Sequence, residues 1–211
     1  MAIPAATGPD RSAVPDYTKL GRLDGRVFVV LGGGNGIGRQ TCHALAQAGA
    51  KIVCVDRDPE LARMVADEVK GTALSGDINK RADVERIFAA AEKANGAVNG
   101  LVDIVGMPHL GPLADLDDAK WASQFDLVVN HAFLATQIGG AAIARAGGGA
   151  MTFVASISGL ARLPGQVAYG AAKAALIQLV GGMSHELGPK KIRVNRSEEH
   201  TSELQSRGLI S

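Results

Sequence analysis

Short runs of apolar residues recur along this chain, and between them the apolar positions take a helical spacing. "RVFVVL" (26–31) reads as a buried strand and is followed at once by glycines. "GIGRQTCHALAQAGA" reads as a helix with Ile37, Ala44, Leu45 and Ala48 on one stripe. "KIVCVD" (51–56) is a second strand, and "PELARMVADEVK" a helix with Pro59 near its first turn. "GTALSGD" predicts a short strand, "ADVERIFAAAEKA" a helix and "GLVDIVG" (100–106) another strand. One long helix is predicted over about 117–145, a strand over "AMTFVAS" (150–156) and a helix over "AYGAAKAALIQLVGGMSHEL". "KIRVN" (191–195) is the sixth strand. Strands alternating with helices predict an α/β fold: a Rossmann-type, doubly wound parallel sheet in three α/β/α layers. Three segments follow: a loose leader over 1–22 with Pro4, Gly8, Pro9 and Pro15, a single dinucleotide-binding and catalytic domain over 23–195, and a polar tail over 196–211.

Composition narrows the function. The chain has 211 residues, 46% of them hydrophobic, enough for one sizeable core. Lys plus Arg is 22 against 21 Asp plus Glu, a net charge of +1, which offers no bulk attraction for nucleic acid or an anionic membrane. No apolar run reads as a bilayer span and the amino terminus lacks a signal-peptide pattern, so a cytoplasmic protein is expected. Cys42 and Cys54 read as reduced core thiols.

Three features carry chemistry. In "VVLGGGNGIGRQ", Gly32, Gly36 and Gly38 lie between a strand and a helix. Glycines let backbone approach a ligand without a Cβ, and a helix amino terminus suits a pyrophosphate. Alone, such a loop is as often a plain tight turn. Asp56 ends the next strand, where an acid binds a ribose 2′-hydroxyl and repels a 2′-phosphate, which favours NAD over NADP; Arg57 softens that preference. Its plain alternative is the start of a polar turn. Tyr169 and Lys173 in "YGAAK" stand at i and i+4, on one helix face, where an ammonium favours the phenolate and makes the phenol a usable acid or base. An ordinary exposed Tyr–Lys pair has the same spacing.

Together with Ser156, thirteen residues before Tyr169, these features resemble the short-chain dehydrogenase/reductase family over about 23–195. The resemblance implies that Tyr169 exchanges a proton with an alcohol or carbonyl, that Ser156 hydrogen-bonds the substrate oxygen, and that Lys173 binds the nicotinamide ribose and tunes Tyr169. Ser158 is the weaker candidate for the serine. The resemblance also assigns Asn35, Ile37, Asp77, Ile78 and Gly106 to the cofactor, with Tyr169 and Lys173, and places Leu163 and Gln166 of "ARLPGQVA" beside the substrate. It implies NAD as cofactor, a small alcohol or ketone as substrate, a homodimer or homotetramer, and no metal site.

The sequence departs from the family pattern in several places. Leu31 replaces a threonine, and "DIVG" (Asp103 to Gly106) replaces N-N-A-G. The family's fourth catalytic residue, an asparagine that helps to hold a relay water, aligns with Val128. Asn130 is two positions on, about 200° around a helix, so either the helix shifts register or the relay runs without this side chain, the second being preferred. His131 reads as a helix-surface or subunit-contact residue. These departures support an alternative, a catalytically weak dinucleotide-binding sensor or scaffold. Finally, Arg196 through Gln205 resemble a translated sequencing-library adapter. The expectation is that the tail is non-native, that the last strand and substrate-covering segment are missing, and that this chain is aggregation-prone and poorly active. A genuine charged tail is the other reading.

Overall fold

Val27–Leu31 (β1) is buried at every position. A strand apolar on both faces needs cover on both, and alternate residues of β1 serve two separate cores. Val27, Val29 and Leu31 join Val53, Phe88, Ile143, Phe153 and Leu176, whereas Phe28 and Val30 join Cys42, Ile52, Cys54 and Val65. The computed structural model of the chain describes residue 14 and residues 16–199. The other strands are Lys51–Asp56 (β2), Thr72–Ser75 (β3), Gly100–Asp103 (β4), Gly149–Ser156 (β5) and Ile192–Glu199 (β6). All pairings are parallel, in the order β3-β2-β1-β4-β5-β6. The helices are Gly36–Gln47 (α1), Pro59–Val69 (α2), Arg81–Asn95 (α3), Asp118–Phe125 (α4), His131–Arg145 (α5) and Val167–Leu187 (α6). This is the doubly wound, Rossmann-type sheet expected, and its order reverses between β1 and β4, where such sheets open a crevice at their carboxyl ends.

Asn99 fastens the opposite end of the sheet. Its backbone N–H donates to Val27 O (2.8 Å), its side-chain oxygen accepts from Val27 N (2.9 Å), and its carbonyl accepts from Ala150 N (3.2 Å). One residue thus ties the starts of β1, β4 and β5. A Cβ at Gly149 would lie 1.9 Å from the Asn99 carbonyl oxygen, so this close approach requires glycine there.

Four details differ from the sequence reading. The long helix over 117–145 is interrupted: a π turn over Asp126–Asn130 separates α4 from α5. The whole stretch Asp118–Arg145 is long and apolar enough to cross a membrane by composition, yet more than half of that apolar window is buried in the fold, as a core helix requires. In α1 the buried face is Gly38 and Cys42, while Ala44 is exposed and Ile37 is 41% exposed. The close contact of Gly38 with the preceding loop sets the roll of this helix. The last strand does not stop at Asn195: Arg196–Glu199 pair with Phe153–Ser156. Backbone pairing along the long edge of β5 continues where apolar alternation ends, and Arg196 bonds Glu198 (2.6 Å) on the strand surface. Of the leader, Tyr17–Lys19 form a 3₁₀ turn capped by Asp16; most of it, and residues 200–211 of the tail, lie outside the described residues.

Candidate active site

The glycine loop folds back on β2. Gly32 and Gly33 N–H groups both donate to Val55 O (2.9 and 3.0 Å). Gly34 N–H donates to Asp56 Oδ2 (3.0 Å), and Asp58 N–H to Asp56 Oδ1 (3.1 Å), so Asp56 braces the loop from the end of β2. Gly38 lies so close to the loop that a Cβ there would sit 1.8 Å from Gly32 O. Asn35 caps α1, its side chain accepting from Gly36 N–H (2.7 Å). Beneath the loop, Cys42 and Cys54 are free, fully buried thiols; the neighbouring Cys42 thiol and burial both push the Cys54 pKa up, which keeps it protonated and inert.

Over this loop opens a cavity of about 710 Å³. Gly32, Asn35, Gly36, Ile37, Gly38, Asp56, Asp77, Ile78 and Gly106 line it. Val55, Arg57, Gly76, Asn79 and Leu127 also line it. Most of these are backbone positions at strand carboxyl ends, which topology predicts better than residue type. Asp83 was not legible as a contributor: its carboxylate accepts from Asp77 N–H (2.8 Å) and so shapes the loop after β3. The Arg86 guanidinium beside it, together with that N–H, holds the Asp83 carboxyl below its ordinary pKa. A glycine cradle at a helix amino terminus, with a cavity of ligand size above it, fits a dinucleotide.

Tyr169 and Lys173 lie on one face of α6 and are both buried, as is Ser156 at the last position of β5. The Lys173 Nζ stands 5.6 Å from the Tyr169 ring centroid and donates to Val154 O (2.6 Å). Gly159 and Gly170 let the turn after β5 pack on α6: a Cβ at either would lie 2.8 Å from backbone of the other segment. Ser156 Oγ donates to Ser158 Oγ (3.3 Å), and Ser158 Oγ donates to Gln166 Oε1 (2.5 Å), so the two candidate serines form one chain of hydroxyls with Gln166. Leu163 is 39% exposed on the same side. Tyr169, Lys173 and Ser156 do not themselves line the cavity. It approaches Lys173 at Gly106, where a Cβ would be 2.9 Å from Lys173 Nζ and 3.9 Å from Leu127 O.

The π turn resolves the asparagine question. Val128 is fully buried in the core, and Asn130 is exposed, donating to Asp126 Oδ1 (2.5 Å). The register does shift, yet no asparagine side chain enters the slot. His131 corrects the surface reading: it is 1% exposed, because Asp103 at the end of β4 provides a buried counter-charge. Its Nε2 lies 3.2 Å from Asp103 Oδ1 and its Nδ1 3.1 Å from Asp126 O. Burial opposes a charge on this ring, but the Asp103 charge and hydrogen bond, aided by the Asp126 carbonyl, hold the His131 pKa above its ordinary value.

A model of the family described as short chain dehydrogenase matches residues 26–198. The chain belongs to the short-chain dehydrogenase/reductase family. It is 32% identical over 179 residues to 2-(S)-hydroxypropyl-CoM dehydrogenase 3 of Xanthobacter autotrophicus, covering 82% of this chain and 70% of that relative. It is 32% identical over 184 residues to galactitol 2-dehydrogenase (L-tagatose-forming) of Cereibacter sphaeroides, covering 85% and 72%. Among solved structures, a 7α-hydroxysteroid dehydrogenase complexed with NADH and 7-oxo glycochenodeoxycholic acid superposes with a TM-score of 0.80 at 29% identity, covering 85% of this chain and 72% of that one. The family match extends three residues past Asn195, in step with the continuation of β6. All three of these proteins are dehydrogenases.

Proposed function

We propose that the protein is an NAD(H)-dependent alcohol dehydrogenase or carbonyl reductase. The observation that carries this reading is the placement of Tyr169 and Lys173 on one buried helix face, with Lys173 Nζ against Gly106 of the dinucleotide cavity. Tyr169 takes the proton from a substrate hydroxyl, or returns one to a carbonyl oxygen, and Ser156 donates a hydrogen bond to that oxygen. Lys173 stabilises the phenolate form of Tyr169 and, with the glycine loop, Asn35, Asp77 and Ile78, holds the cofactor. Bound nicotinamide supplies hydride transfer. The native sequence after Asn195 is fixed by resequencing the locus: genomic DNA that encodes Arg196–Gln205 in place would establish the tail as genuine. A soluble, cytoplasmic homodimer or homotetramer is the form proposed, supported by Trp121 and Phe133, 42% and 46% exposed along α4 and α5.

Titration of NADH by fluorescence, followed by a panel of alcohols and ketones, tests the assignment. Saturable binding with turnover supports it. Binding with no turnover that depends on Tyr169 would favour the sensor or scaffold reading, whose support is Val128 and the altered "DIVG".

The choice of NAD over NADP rests on the Asp56 carboxylate, which lines the cavity and repels a 2′-phosphate. Asp56→Asn keeps an acceptor for Gly34 N–H and removes the charge, leaving Arg57 beside it. The ratio of NADPH to NADH affinity is expected to rise about tenfold or more, ~1.4 kcal/mol. An unchanged ratio would remove Asp56 from cofactor selection.

A further inference from the structure

Asp103 is a carboxylate where the family pattern has a neutral asparagine. It is 3% exposed, on the same strand-end loop as Gly106, against which Lys173 Nζ lies. A bare buried carboxylate there would be costly, and it would compete with Tyr169 for the field of the Lys173 ammonium. His131 answers it from the far side. A neutral imidazole has one donor and one acceptor nitrogen. Here both nitrogens face acceptors: the Asp103 carboxylate at Nε2 and the Asp126 carbonyl at Nδ1. With Asp103 ionised, either neutral tautomer would set a lone pair against an oxygen, and the imidazolium satisfies both. Asp103 Oδ1 also accepts from Val105 N–H (3.1 Å), while Oδ2, which has no hydrogen-bond partner, lies 3.2 Å from His131 Nε2.

We propose that His131 is a positioning residue of this enzyme: as a buried imidazolium it neutralises Asp103, keeps the Lys173 charge acting on Tyr169, and ties the end of β4 to the π turn that carries Val128 in place of the asparagine side chain. The charged or titratable groups facing the ring are Asp103 from β4 and Lys173 from α6; the π turn contributes the Asp126 carbonyl. Lys173 acts on His131 as a repelling neighbour, so the two cations share one field. A buried pair of this kind is nearly silent when removed whole and disruptive when halved, because halving leaves an uncompensated charge.

That asymmetry is the test, and it is made on the 211-residue protein without any turnover assay. The assignment rests on reading Tyr169 and Lys173 as the acid–base pair, but a failed dehydrogenase assay and a failed charge test remain distinguishable. In ¹⁵N-histidine spectra the His131 ring is expected to carry two protons at neutral pH, and in Asp103→Asn only one. Tyr169 ionisation is followed by tyrosinate absorbance in a Tyr17→Phe background, since the chain has 2 tyrosines. His131→Gln unmasks the carboxylate while Lys173 stays an ammonium, so Tyr169 is expected to titrate about one pH unit higher. Asp103→Asn/His131→Gln removes both charges and should return the titration to within a few tenths of a unit of wild type. A neutral His131 ring in the wild-type protein, no shift in the single variant, or a double variant that shifts as far as the single would each overturn the proposal. Should His131→Gln fail to fold, the ring spectra of wild type and Asp103→Asn still decide it.

Discussion

Tyr169→Phe is expected to lower turnover about 10²–10⁴-fold while NADH binding stays within a few-fold of wild type. The two side chains differ by one oxygen, and the ring itself is a core element, 1% exposed among Val128, Ala172 and Leu176. Phe keeps that packing. What is lost is the side-chain oxygen of residue 169 that can exchange a proton, together with about 1–3 kcal/mol from the buried hydrogen bond that the hydroxyl makes. The loss should therefore fall on kcat, with cofactor affinity little changed, because the glycine loop and Asp56 lie on other elements. Steady-state kinetics with the best substrate of the panel, beside NADH fluorescence titration, separates the two quantities. Turnover within a few-fold of wild type would remove Tyr169 from the chemistry.

The second large effect is steric. Gly38→Ala places a methyl 1.8 Å from Gly32 O, 2.8 Å from Gly32 C and 2.9 Å from Gly33 Cα. All three are backbone, so no rotamer relieves the clash, and the loop must separate from α1. NADH affinity is expected to fall about a hundredfold or more, ~2.7 kcal/mol, and stability by about 1–3 kcal/mol. Gly181→Ala is the control: it lies inside α6 with nothing within 4 Å of the added methyl, and should stabilise by roughly 0.5–1 kcal/mol. A urea midpoint and an NADH titration on both variants test the pair. Gly38→Ala with wild-type affinity would mean that the loop does not hold the cofactor.

The strands were legible because a doubly covered sheet writes itself as apolar runs, and β1, β2 and β5 lie within a residue or two of where those runs fall. What escaped was set by partners distant in sequence. The burial of His131 depends on a carboxylate 28 residues earlier, and no helical pattern contains that. The π turn changes only the spacing of backbone bonds over five residues, so apolar periodicity runs through it almost undisturbed. Ala44 looked like core because it shares a stripe with Leu45 and Ala48, whereas the roll of α1 is decided by Gly38 meeting Gly32 O. At the other end of the chain, β6 outlasts its hydrophobic pattern because an edge of backbone acceptors and donors pairs regardless of side chains. The cofactor cavity was legible where glycines and acids mark it, and hidden at Gly76, Asn79 and Leu127, which contribute by position.

Asn99 gives the domain a mechanical polarity. Its three backbone-directed bonds clamp β1, β4 and β5 at their amino ends, while the carboxyl ends lead into the glycine loop, the 104–112 segment and the turn after Ser156. Slow exchange of amide hydrogens should therefore concentrate at the clamped edge and fade toward the ligand side. Loop rearrangement at the crevice can then proceed without loosening the sheet beneath it, because the strands are held from behind.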